Sequence, residues 1–96
     1  MKKSKHDLIS EALARNEGTS YNKGKGPDVK GPTRTIEVAV HESDLYSSID
    51  QVKRYNRPYI ATTQELIEKA KEVTKGTGIG VMTSGGRIVK RSRRKK

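Results

Sequence analysis

The stretch Gly26–Val40 constrains this chain more than any other. Gly26-Pro27-Asp28-Val29-Lys30 and Thr33-Arg34-Thr35-Ile36-Glu37-Val38-Ala39-Val40 are two extended segments hinged at Gly31-Pro32. From Thr33 to His41 the residues alternate, with Ile36, Val38 and Val40 on one face and Glu37, Ala39 and His41 on the other. The pattern predicts a strand with its apolar side on a core and a carboxylate on its polar side. If the two segments pair antiparallel, Asp28 and Glu37 come onto one face. Two carboxylates that close repel, and a hard divalent cation with oxygen ligands would relieve them. The bland alternative makes Asp28 a turn residue and Glu37 an exposed strand residue, and spacing alone favours it.

With 96 residues the chain is long enough for one small domain with a thin core. It has no Trp, Phe or Cys and only four Tyr, so Ile, Leu, Val and Ala must fill that core, and disulfides and thiolate metal sites are excluded. No apolar run approaches the roughly 20 residues that span a bilayer, and no signal-peptide core follows the charged start, so a cytoplasmic protein without membrane partners is expected. The net charge of +10 is unevenly placed. Residues 6–86 hold eleven basic and eleven acidic side chains, so the whole excess lies at the two ends, in Lys2, Lys3 and Lys5 and in the run from Arg87 to Lys96. Such ends suit a polyanion, most often nucleic acid, in preference to a merely solubilising tail. The expected organisation is one domain over 1–90 and a basic tail over 91–96.

The remaining elements follow from periodicity and capping. Ser4 with Asp7 opens a helix carrying the stripe Leu8, Ile9, Ala12, Leu13, which Gly18 stops, and Glu11 lies at its flank. Thr19–Asn22 is a short β-prone piece, and 23–27 is a loop whose Lys23 and Lys25 are candidate phosphate contacts. Ser43 caps a second helix with core residues Leu45, Ile49 and Val52, which Pro58 ends; Gln51 and Tyr55, four apart, share one flank. A strand over Tyr59–Ala61 follows, then a capping box of Thr62 and Glu65 before a third helix with Leu66, Ile67, Ala70 and Val73 inward. Two strands, Ile79–Met82 and Arg87–Lys90, flank the turn Ser84-Gly85-Gly86. The order α-β-β-β-α-β-α-β-β predicts an α/β fold with a small central mixed sheet and flanking helices, and the second helix is a candidate right-handed crossover.

Two other features carry less. Gly76-Thr77-Gly78-Ile79-Gly80 follows a helix and enters a strand, the reverse of a dinucleotide-binding turn, so that reading is rejected. His6, in the basic N-terminus, is expected to be solvated. His41, at a strand end, is expected to be exposed, although it shares the Glu37 face.

Pro27-Asp28, then Glu37-Val38-Ala39, then Gln51-Val52-Lys53-Arg54-Tyr55 resemble the Pro-Asp…(Asp/Glu)-x-Lys nuclease superfamily, the restriction-endonuclease-like fold. Within it the chain looks most similar to small archaeal Holliday-junction-resolvase-type nucleases. The resemblance runs from the first helix to about Met82, and it lies in the order of short motifs. It implies a mixed sheet flanked by the first two helices, and Mg²⁺ or Mn²⁺ held by Asp28, Glu37 and the Val38 carbonyl. It also implies a first-helix acid at Glu11, and Gln51 and Tyr55 bordering the site and the nucleic acid. At Ala39 this chain departs from the motif lysine, which orients or activates water. Either the function has moved, to Lys30 on Asp28's face or else to Lys53, or the chain binds without cutting, or residue 39 is an inactivating substitution.

The sequence-based expectation is therefore a nucleic-acid-binding protein of nuclease-like fold. It would contact double-stranded or branched DNA through Lys23, Lys25, Arg54, Tyr55, Arg57, Arg91, Arg93 and Arg94. If active, it would be an endonuclease with Asp28, Glu37, Lys30 and Gln51 at the catalytic site. The alternatives are a non-catalytic DNA- or RNA-binding module and a small RNA-associated structural protein. The resemblance also suggests a homodimer.

Overall fold

A computed structural model describes residues 4–19, 21, 27–55 and 57–93. Helix α1 (Lys5–Asn16) leads to strands β1 (Val29–Lys30) and β2 (Thr35–Ala39). Helix α2 (Asp44–Val52), strand β3 (Pro58–Thr62), a 3₁₀ turn (Gln64–Leu66) and helix α3 (Ile67–Val73) follow, before the hairpin β4 (Gly80–Thr83) and β5 (Ile88–Lys90). The expected α/β class with a small mixed sheet is what the chain forms. The five strands lie in sequence order, with β1–β2 and β4–β5 antiparallel and β2–β3 and β3–β4 parallel. Parallel neighbours need crossovers, which α2 and α3 supply. Because the order advances in one direction, two crossovers of the same hand land on the same face. Leu45 and Val52 of α2 and Ile67 and Ala70 of α3 accordingly share one core with Ile60, Val81 and Ala39. Ile9, Leu13 and Ala14 of α1 cover the other face, over Val29, Ile36, Val38, Ala61 and Met82.

This double cover corrects the reading of β2 as half polar. Its second face is no solvent face: Ala39 is fully buried under α2, and Thr62 Oγ1 donates to the Ala39 carbonyl at 2.6 Å. The strand is shorter than 33–41 at both ends. Of the expected strand at 19–22, Thr19 and Tyr21 lie in no strand and the rest is outside the described residues, as are Lys23, Lys25 and Arg94. The capping box at Thr62 is absent because Thr62 finishes β3, and Thr63 precedes the 3₁₀ turn instead.

Helix α1 starts and stops where expected. Ser4 Oγ accepts from Asp7 N–H, and Gly18, at φ 73°, completes a Schellman end in which Gly18 N–H and Thr19 N–H donate to the Arg15 and Ala14 carbonyls. Its inward face keeps Ile9 and Leu13 of the expected stripe but is rotated away from the other two. Leu8 is 55% exposed and Ala12 is exposed, while Ser10, Leu13 and Ala14 are buried. The helix is turned so that His6, Ser10, Leu13 and Glu17, spaced 4, 3 and 4 apart, run along its inner side. The polar ends of that row hold the β1–β2 hairpin. Glu17 pairs with Arg34 at 3.4 Å, and Gly31 leaves the room, since a Cβ there would sit 2.9 Å from Glu17 Oε1.

The first residues of the expected tail are tied down. Arg93 N–H donates to the Gly78 carbonyl at 2.8 Å and Ser92 Oγ to the same atom at 3.2 Å. No helix among the described residues is long and apolar enough to cross a membrane.

Candidate functional site

Asp28 and Glu37 meet at the β1 edge of the sheet. Val29 opposes Ile36 in the antiparallel register, so the residue before β1 falls opposite Glu37. β1 is too short to pair with the rest of β2, and the Asp28 carboxylate takes its place: Val38 N–H donates to Asp28 Oδ2 at 2.9 Å, and Asp28 N–H donates to Glu37 Oε1 at 3.0 Å. This reciprocal closure fixes both side chains. Burial, followed by the Asp28 side-chain hydrogen bond and the Asp28 charge, pushes the Glu37 carboxyl up to about 8. Near neutrality the pair therefore shares a proton rather than carrying two charges.

His6 is the neighbour that sequence reasoning missed. Its place in the basic N-terminus predicts a solvated ring, yet its Nε2 lies 3.0 Å from Asp28 Oδ2 and its Nδ1 lies 3.4 Å from Tyr21 Oη. Tyr21 Oη also donates to Asp7 Oδ1 at 3.0 Å. Burial, followed by the Asp7 hydrogen bond and the Asp28 charge, pushes the Tyr21 phenol up to about 12, and the Tyr21 hydrogen bond lowers the Asp7 carboxyl. The Asp28 carboxylate thus lies between the Val38 N–H of β2 and the His6 ring of α1, and Tyr21 of the following loop backs that ring without bonding Asp28. The one available signal is position: His6 stands seven residues before Leu13, on the same side of the helix. Glu11, half-buried, lies about 140° around the helix axis from His6.

The other expected site residues are placed as follows. Lys30 sits with its ammonium 5.5 Å from the Tyr55 ring centroid, in a cation–π contact, and is bonded to neither carboxylate. Tyr55 lies beyond the end of α2, its N–H donating to the Val52 carbonyl, so the expected helical stacking of Gln51 on Tyr55 does not form; Gln51 is exposed. Lys53 pairs with Asp50 at 3.0 Å. Arg54 and Arg57 are exposed. His41 is exposed, as expected, and its carbonyl accepts from Asp44 N–H. Ala39, where the motif lysine would stand, points into the α2–α3 core.

Among the described residues no three His, Cys, Asp or Glu side chains are grouped so that they could hold a metal ion. Mg²⁺ commonly takes one or two carboxylates and completes its shell with water and phosphate oxygens. The Asp28–Glu37 pair meets that minimum and no more. A cation would have to displace the shared proton, which makes its binding pH-dependent.

Fold and site together define a small α/β protein with a two-carboxylate edge site. Comparison with known proteins finds no matching family, no matching curated protein and no matching solved structure.

Proposed function

We propose that this chain is a nucleic-acid-binding protein of restriction-endonuclease-like fold whose acid pair takes up a divalent cation beside the bound backbone. The observation that carries the reading is the reciprocal closure of Asp28 and Glu37 across the β1–β2 edge. The basic excess at both chain ends, with exposed Arg54 and Arg57 after α2, supports a polyanionic partner. The order α1-β1-β2-α2-β3, with the acids across an antiparallel pair and a crossover helix behind them, supports the nuclease-like assignment.

Binding without cleavage is the better-supported form. A cation on Asp28, Glu37 and the Val38 carbonyl would supply Lewis-acid chemistry at a phosphodiester. The water-orienting lysine has no counterpart: Ala39 is core and Lys30 rests on Tyr55. Metal-dependent hydrolysis is the second reading, favoured by the acid pair itself.

The test is binding and cleavage of supercoiled, linear and four-way-junction DNA and of an RNA hairpin, with Mg²⁺, Mn²⁺ or EDTA. Salt-steep binding without nicking is expected. Metal-dependent nicking lost in Asp28→Ala and Glu37→Ala would establish the hydrolase instead. Failure to bind any of these substrates at low salt would overturn both forms.

A further inference from the structure

A pocket lies at the opposite edge of the sheet, where the α3–β4 connection meets the segment leaving β5. Ser92 crosses so close above Gly80 that a Cβ on Gly80 would stand 2.6 Å from Ser92 N, and would also meet the Tyr59 ring. With Arg93 N–H and Ser92 Oγ both bonded to Gly78, this crossing borders a half-open cavity of about 640 Å³ lined by Lys75, Gly76, Gly78, Lys90, Arg91 and Arg93. Its four charged residues are all cations. The nearby acids of α3 are engaged elsewhere, Glu72 with Lys69 and Glu68 with Lys71. Lys90 Nζ donates to the Thr74 carbonyl and Oγ1 at 3.0 and 2.9 Å. Among the described residues no carboxylate pairs with Lys75, Lys90, Arg91 or Arg93. Burial and then the Arg93 charge hold the Lys90 ammonium below the usual lysine range, a crowding that an anion would relieve.

We propose that this cavity is a phosphate-binding site and, resting on the nucleic-acid reading above, that it receives a backbone phosphate of the bound strand. Guanidinium forks match phosphate oxygens two at a time, and the volume lies within the ~300–1,000 Å³ range of small-ligand sites. The bonds from Arg93 N–H and Ser92 Oγ to the Gly78 carbonyl hold the segment carrying Arg91 and Arg93 in place before any ligand arrives, which lowers the ordering cost of binding.

The site is separate from the acid pair. Glu37, Ile60, Val81 and Lys90 form one register row across four strands, so the Glu37 and Lys90 backbones stand about 14 Å apart. Between them Ile60 and Val81 lie buried beneath α2 and α3. A phosphate in the cavity cannot touch Asp28 or Glu37.

The experiment is an amide-NMR titration of the full chain with pyrophosphate, alongside salt-dependent binding of a DNA duplex. Saturable shifts at Gly76 and Gly78 are expected. They should vanish in the double variant Lys75→Gln, Arg91→Gln, both exposed positions, and persist in Glu37→Gln. The double variant should also flatten the slope of log affinity against log salt by about 2, near 0.9 for each phosphate that is no longer neutralised. Pyrophosphate binding by a protein that binds no nucleic acid would keep the site, assign it to a free phosphorylated ligand and remove the nucleic-acid reading. Shifts absent in the wild type, undiminished in the double variant, or equalled by polyglutamate would overturn the phosphate site even if DNA still binds.

Discussion

Glu37→Gln isolates the cost of holding two carboxyl groups in one edge site. Glutamine has the shape of the protonated glutamic acid: its carbonyl can accept Asp28 N–H while its NH₂ donates to the Asp28 carboxylate. In the wild type, burial and Asp28 move Glu37 from 4.5 to about 8. Between those values the folded protein keeps a proton that the unfolded chain has released. The folded state binds more protons there, so the contribution to stability is greatest below about 4.5 and is lost as pH rises towards 8. The displacement sets a ceiling of roughly 5 kcal/mol. Glu37 is only half-buried, and solvent screening brings the expected value to about 2 kcal/mol. The His6 contact to Asp28 and the Tyr21 bonds behind it are common to both proteins. Urea unfolding followed from about pH 5 to about pH 9 should show the two proteins converging at the acid end. At the alkaline end the variant should lead by about 2 kcal/mol, a midpoint difference of roughly 1–2 M. A stability gap that does not change with pH, or a variant weaker than wild type above pH ~8, would refute the shared-proton account.

Arg57 holds φ at 48°, a left-handed conformation costing about 1–2 kcal/mol for a residue with a Cβ. Arg57→Gly should therefore raise the melting temperature by a few degrees while weakening nucleic-acid binding, two changes of opposite sign read by calorimetry and fluorescence anisotropy. Gly80→Ala drives a methyl into Ser92 N and the Tyr59 ring. It should cost roughly 1–3 kcal/mol in chemical denaturation and expose the Arg93 amide to hydrogen exchange. Ala39→Lys, which would match the resembled motif, pushes an ammonium among Leu45, Val52 and Ile60. The expected result is a loss of about 3 kcal/mol without gain of cleavage; a stable variant that nicks DNA would contradict this placement of residue 39.

The legible parts of this chain are those written in apolar periodicity or turn chemistry. Ile36 and Val38 announce β2, Leu45 and Val52 announce α2, and Gly31-Pro32 lets Asp28 fold back opposite Glu37. The illegible parts are polar residues facing inward. His6 and Glu17 break the apolar stripe of α1, so periodicity rotates the helix towards Leu8, whereas their partners Asp28 and Arg34 lie 22 and 17 residues away. Ala39 carries too little apolar weight to reveal that a second helix layer covers it. The chain leaves α2 at Val52, well before Pro58 forces an end, because it must turn back to start β3. Arg91–Arg93 has the composition of a free tail, and its anchors are backbone atoms and a serine hydroxyl, which composition does not register.

At the Val38 amide the sheet is completed by a side chain. The amide proton points at a carboxylate oxygen rather than at the carbonyl of a neighbouring strand. Hydrogen bonds to an ionised acceptor are short and strongly polarised, so this amide resonance is a built-in spectroscopic reporter. It should stand downfield of its strand neighbours and move when the proton on Glu37 is removed or when a cation arrives. It should lose its distinct position if Asp28 swings away while β2 and β3 stay paired. A single peak would then follow the state of the edge site through titration, ligand addition and local unfolding, independently of the sheet that carries it.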